Sequence, residues 1–376
     1  MTINPLELAV APVRELASYV PGKPLAELER EYGISDSIKL ASNENPLGPG
    51  PAARAAIAQV APTVGLYPDG NGYELKQLLA RKHGCAAQCI TLGNGSNDVL
   101  TMVAEAFLDA SVEAVYSQYC FAIYPIVVQA TGATARVAAA YPDISSYEHA
   151  MALGHDLDAM LKLVTDKTRV VFIANPNNPT GSWVEAAPLK RFIAALPSTT
   201  LVVVDEAYIE YAYEGEFADA SQWLAEFPNL IVTRTFSKAY GLAGLRVGYA
   251  LSQVGIAAVL NRVRQPFNVN SIALAAAAAA LEDVEHLQQS VQLNARGMQQ
   301  VLIGLKQLGL RVYPSRGNFV LIDCARPSGA VNEALLRQGV IVRPVHGYGL
   351  PTQLRISIGT EYENARMLSA LQAALK

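Results

Sequence analysis

The chain has few cysteines, no long apolar run and no excess of positive charge, and each shortage removes a class of protein. Its four cysteines (Cys85, Cys89, Cys120 and Cys324) include no CxxC pair, and no histidine pattern follows Cys85 and Cys89 to complete a zinc site. No metal is therefore expected, and the thiols read as reduced groups in a cytoplasmic protein. No stretch of roughly 18 uninterrupted apolar residues occurs, so no membrane span is expected. The alanine tract after Ser271 is soon broken by Glu282 and Asp283. The N-terminus lacks a basic segment followed by an apolar stretch of signal-peptide length. A net charge of −4 argues against nucleic acid or an anionic membrane as the main partner, while leaving room for small anionic ligands held by local arginines.

What is present is enough apolar material for a large core, 51% of 376 residues, a length suited to two domains or to one large domain with a satellite. From about Ala52 helical segments such as "YELKQLLARKHG" and "NDVLTMVAEAFL" alternate with short strand-like runs. Those runs are "CITL", "EAVYS", "ARVAA", "VVFIA", "LVVVDEA", "LIVTRTF" and "RVGYAL". Such alternation predicts an α/β fold with a largely parallel sheet covered on both faces. The regime ends near "RQPFNVNS"; two long helical stretches follow, then strand-like "NFVLIDC", "VIVRPV" and "LRISIG". The division expected is a large domain over residues 47–265 and a smaller α+β domain from residues 1–46 and 266–376.

In an open parallel sheet, ligands sit just beyond the carboxyl ends of the strands. Four polar clusters fall there: "NPNNPTG" after "VVFIA", "DEAY" ending "LVVV", "TFSKAYGLAGLR" after "LIV", and "GNGSND" after "CITL". Taken singly each has a plain explanation. Asp205 resembles a helix cap or turn former, and Lys238 a solvated surface charge. "GNGSND" is half of a dinucleotide fingerprint with Asp98 where the last glycine belongs, and it lacks the lysine of a P-loop. Taken together, an amine able to form an imine, a carboxylate at the end of a buried strand and a phosphate-ready helix start are what pyridoxal phosphate requires.

At this point "ANPNNPTG", "VVVDEAYIEY", "TFSKAYGLAGLRVGY" and "LRISIGT" resemble the fold-type I pyridoxal-phosphate-dependent aminotransferases. "LASNENPLGPGP", "YPDGNGYELKQLLA" and "GNGSND" narrow the resemblance to histidinol-phosphate aminotransferases, over nearly the whole chain. The resemblance implies a seven-stranded, mostly parallel sheet and transamination of histidinol phosphate with 2-oxoglutarate, a step of histidine biosynthesis. It implies that Lys238 holds the cofactor and moves the proton, that Asp205 pairs with the ring nitrogen, and that Asn178 and Tyr208 face the ring oxygen. Phe121 would stack on the ring. Ser96, Asn97, Ser237 and Arg246 would cup the phosphate, joined by Tyr67 from the other subunit of a homodimer with a shared active site. Arg355 would take the anionic group of the substrate, with Tyr19, Arg343 and Asn178 nearby. The alternatives are an aromatic amino acid aminotransferase and, further off, a phosphate-ester decarboxylase. A non-catalytic pyridoxal-phosphate-binding regulator and a nicotinamide-binding module belong to other classes. His83, His149, His155, His286 and His346 lie outside the motifs and receive no catalytic role.

Overall fold

The computed structural model describes residues 3–143, 151–212, 217 and 219–376. Thirteen strands are present among them. They are β1 (Ile38–Lys39), β2 (Ile90–Gly93), β3 (Glu113–Ser117), β4 (Thr134–Ala138), β5 (Thr168–Ala174), β6 (Leu201–Asp205) and β7 (Leu230–Thr235), then β8 (Gly248–Ser252), β9 (Arg311–Tyr313), β10 (Phe319–Asp323), β11 (Val340–Ile341), β12 (Arg343–Pro344) and β13 (Gln353–Ser357).

Seven of them form one sheet in the order β2-β8-β7-β6-β5-β3-β4. Only β8 runs against the rest, pairing antiparallel with both β2 and β7. All seven expected strands are present, and the sheet is mostly parallel, as expected. Alternation along β5 explains why both faces are covered. Val171 and Ile173 point into one apolar cluster, whereas Val170 and Phe172 point into another, as the two-residue period of a strand requires. Each such side chain, taken fully out of water, contributes about 1.5–3 kcal/mol.

A four-stranded antiparallel sheet, β12-β13-β10-β9, and the short parallel pair β1-β11 make the smaller body. Its core joins Ile38 and Leu40 to Val320, Leu354 and Ile356, so the N-terminal segment packs with the C-terminal part. The helix Ser271–Glu282 behaves otherwise. Ala273, Ala276 and Ala277 belong to the large sheet's cluster, together with Ala53 and Leu75. This helix, which follows residue 265, thus packs with the large sheet's cluster. Its uniform alanine surface gave no pattern by which to assign it, while small side chains let two helices approach closely.

Candidate active site

The carboxyl ends of β5, β6 and β7 meet at one rim, and the amino end of the reversed strand β8 joins them. Asp205 closes β6, in register with Ala174 of β5 and Thr233 of β7. The next residue, Glu206, turns to the other face and is buried against Arg234 at 2.7 Å. Of the pair "DE", one acid is thus structural and the other faces a cavity of about 190 Å³. Twelve of the thirteen site residues expected from sequence line that cavity. Tyr67 does not; it is 84% exposed and stacks on Phe267 at 4.8 Å between ring centroids.

Asp205 accepts hydrogen bonds from Thr233 Oγ1 and from Tyr124 Oη, both at 3.0 Å. Burial pushes its carboxyl up to about 6, against the pull of those two donors. No cation lies within ion-pair distance of it among the described residues. Lys238 is part-buried, its Nζ donating to the main-chain oxygen of Ser42 at 3.0 Å. Burial, then the charge of Arg355, brings its amine down to about 7, which leaves a nucleophile available near neutral pH.

The helix Ser96–Phe107 starts at Gly95 with no side-chain cap, so the N–H groups of its first turn are open to an anion. Arg246 Nη1 donates to Ser237 Oγ at 3.1 Å, placing a guanidinium and a hydroxyl beside that helix start. On the far wall, Arg355 is 7% exposed. Its Nη1 donates to Asn178 Oδ1 and its Nη2 to the Ala41 carbonyl, each at 2.5 Å, and its buried Nε has no partner among the described residues. The Arg343 guanidinium lies 5.7 Å from the Tyr19 ring. Phe121 meets Tyr124 edge to face at 5.9 Å. A second, mostly apolar cavity of about 700 Å³ adjoins the first at Tyr19, Gly22 and Arg343.

Four cationic side chains (Lys238, Arg246, Arg343 and Arg355) thus face one carboxylate. The matching guest is an aromatic aldehyde with a protonated ring nitrogen for Asp205 and a phosphate for the helix start, accompanied by a second anion for Arg355. Pyridoxal phosphate has those features, and the residues fit it.

Sequence reasoning passed over Tyr124, Thr233, Ser42 and Asn43. Tyr124 stands three residues after Phe121, and Thr233 is fixed by strand register; neither spacing carries a motif. Asn43 lies in "ASNENP", whose polar residues gave no individual role. Of the histidines, His83 meets the Tyr249 hydroxyl, His155 the Ala174 carbonyl and His286 the Gly48 carbonyl. His346 lines the second cavity, and His149 lies outside the described residues.

A fold-type I sheet with a buried amine, an acid at the end of β6 and an uncapped helix start defines a pyridoxal-phosphate-dependent enzyme. The description "Aminotransferase class I and II" matches residues 35–371. A histidinol-phosphate aminotransferase 2 of Pseudomonas aeruginosa is 56% identical over 98% of both chains. A histidinol-phosphate aminotransferase 1 of Nitrosococcus oceani is 51% identical over 98% of this chain and 97% of its own. Among solved structures, histidinol-phosphate aminotransferase from Sinorhizobium meliloti in complex with pyridoxal-5′-phosphate superimposes with a TM-score of 0.87 at 31% identity, covering 98% of this chain and 97% of its own. The chain belongs to the class I and II aminotransferases and, within them, to the histidinol-phosphate aminotransferases.

Proposed function

We propose that this protein transfers the amino group of L-histidinol phosphate to 2-oxoglutarate, giving imidazole acetol phosphate and L-glutamate, with pyridoxal 5′-phosphate as cofactor. The observation that carries the reading is Arg355, a buried guanidinium beside Lys238 whose partners among the described residues are neutral oxygens. One such group suits both anions the reaction presents, the α-carboxylate of glutamate and the phosphate-bearing arm of histidinol phosphate.

When bound, the cofactor supplies an aldehyde to hold the amino group and a protonated ring to accept electrons as the Cα–H bond breaks. The protein's part is positioning and proton transfer. Lys238 Nζ, once its amine is free, takes the proton from the substrate's Cα and returns it to the other side of the exchange. Asp205 keeps the ring nitrogen protonated, and Thr233 and Tyr124 hold that carboxylate. Asn178 and Tyr208 fix the ring oxygen, and Phe121 covers the ring face. Ser96, Asn97, Ser237 and Arg246 hold the phosphate, with Arg343 and Tyr19 closing the substrate end.

We read the working unit as a cytoplasmic homodimer. The exposure of Tyr67, away from its own chain's cavity, supports a role in the phosphate cup of the other subunit. No helix among the described residues is long and apolar enough to cross a membrane.

The test is a paired assay of purified protein against 2-oxoglutarate, with histidinol phosphate in one arm and phenylalanine in the other. Faster turnover of the phosphate ester is expected. If phenylalanine turns over fast and the ester is ignored, the enzyme is an aromatic aminotransferase. Carbon dioxide release without amino transfer would make it a decarboxylase.

A further inference from the structure

The loop that supplies the acceptor for Lys238 continues into Asn43, a residue the reaction above leaves without a task. Asn43 is 1% exposed, and its backbone sits at φ 55°, in the left-handed region that asparagine tolerates better than most residues. Its main-chain N–H donates to Ser357 Oγ at 2.8 Å, and its main-chain oxygen accepts from Asn318 Nδ2 at 3.0 Å. In the side chain, Oδ1 accepts from the Ser357 hydroxyl at 2.9 Å, and Nδ2 donates to the Tyr208 phenol oxygen, also at 2.9 Å.

These contacts form one directed chain of hydrogen bonds. Ser357 Oγ accepts from the Asn43 N–H and gives its own proton to Oδ1, an arrangement in which each end of the amide has one partner and the NH₂ is left for Tyr208. The Tyr208 oxygen therefore receives a proton from Asn43. A phenol has one proton of its own to give, and among the described residues nothing accepts it. The Tyr208 ring is held edge-on to Phe319, with centroids 5.2 Å apart, and lines the cavity. Burial pushes the phenol up to about 12, with Arg355 and the Asn43 amide acting against that rise, so Tyr208 stays a neutral donor at working pH.

We infer that Asn43 is a positioning residue whose amide, set by Ser357, commits the Tyr208 hydroxyl to donate into the cavity, onto the ring oxygen of the cofactor. The inference deepens the proposed function and rests on its reading of the cavity as a pyridoxal phosphate site. It also links two parts of the site. Ser357 follows Arg355 by two residues on β13, so the strand that holds the substrate's anion also orients the donor to the cofactor.

The experiment is a pH titration of the visible absorbance of the bound cofactor in the holoenzyme, for wild type, Asn43→Asp, Tyr208→Phe and the double variant. In Asn43→Asp the new carboxylate accepts the Tyr208 proton and draws it out of the cavity. The ring oxygen then holds its shared proton more tightly, and the midpoint rises by roughly one to two pH units, the worth of one hydrogen bond to a charged group. Because the effect runs through Tyr208, the shift caused by Asn43→Asp shrinks by at least half in the Tyr208→Phe background. A smaller reduction means that the added charge acts directly, and overturns the inference, as does an unmoved midpoint. If Asn43→Asp does not fold, Asn43→Gly, which keeps the left-handed backbone and removes the donor without adding an acceptor, should raise the midpoint by a smaller amount that disappears in the Tyr208→Phe background; an unmoved midpoint, or a shift that persists without the Tyr208 hydroxyl, overturns the inference. A wild-type protein that binds no cofactor sinks the parent reading, and this inference with it.

Discussion

Arg355 shows how a single side chain separates function from stability. Its guanidinium is buried, rests on the oxygens of Asn178 and Ala41, and has no acid within ion-pair distance among the described residues. Burial lowers its pKa, the mark of a desolvated charge waiting for an anion. Replacing it with an apolar side chain of similar length removes that cost along with the anion's partner. Arg355→Met should lower kcat/KM for both substrates roughly 10²–10³-fold, while the cofactor-free protein melts no lower than wild type. Steady-state kinetics and a thermal melt check the two halves; a lower melting temperature with unchanged kinetics would make Arg355 a structural brace. Lys238 and Asp205 give the pH counterpart. The amine has a folded value of about 7 against an ordinary 10.5. Between those values the unfolded chain binds a proton that the folded chain does not, so stability rises with pH across the window, and the penalty is complete below it. Asp205, raised from 3.8 to about 6, contributes stability that is full below 3.8 and is lost as the pH rises through 6. Cofactor-free Lys238→Met should therefore melt above wild type at about pH 7 and lose that advantage by about pH 10. A difference constant across the range would mean that the lysine is not desolvated.

At the scale of elements, the site depends on a strand-to-helix corner that only glycine can turn. Gly95 sits at φ 83°, ψ 166°, a backbone region essentially restricted to glycine. A Cβ there would also stand 2.4 Å from Arg246 Nη2. Gly95→Ala should therefore cost about 1–3 kcal/mol in stability and, on the proposed reading of this corner as a phosphate cup, weaken cofactor binding by at least tenfold, since both of its walls must shift. Equilibrium binding of pyridoxal phosphate and chemical denaturation measure the two effects. This corner was legible in "GNGSND" because turn residues, strand and helix follow one another locally. The seven strands of the large sheet were legible for the same reason: buried parallel strands are continuous apolar runs. β9 was not, since Arg311–Tyr313 is short and has only one buried residue. Nor was the grouping of helix Ser271–Glu282, which depends on contacts with helix Pro51–Val60 that no periodicity records. Around the cavity, most of the expected residues lay in recognisable motifs. Thr233, Tyr124 and Asn43 did not, because their roles come from register and packing across distant segments.

For the whole molecule the open question is where Tyr67 acts. Val64, Leu66, Tyr67, Tyr73 and Phe267 are all exposed, Leu66 and Tyr67 by 75% and 84%, more apolar surface than one stretch of a monomer usually leaves to water. On the proposed reading, a second copy covering it would carry Tyr67 toward the neighbouring phosphate cup, where Ser237 and Arg246 meet beside the helix start. Each site of such a dimer would then need Lys238 from one chain and Tyr67 from the other. That requirement can be tested by mixing two defective chains, Lys238→Ala and Tyr67→Phe, after dissociation and reassociation. In the hybrid, one site receives both lesions and the other receives neither. Random pairing makes half of the dimers hybrid, so about a quarter of wild-type sites should be restored, visible as activity above the average of the two parents at limiting cofactor. Activity equal to that average would mean that each chain completes its own cup, and that the exposed tyrosine serves contact alone.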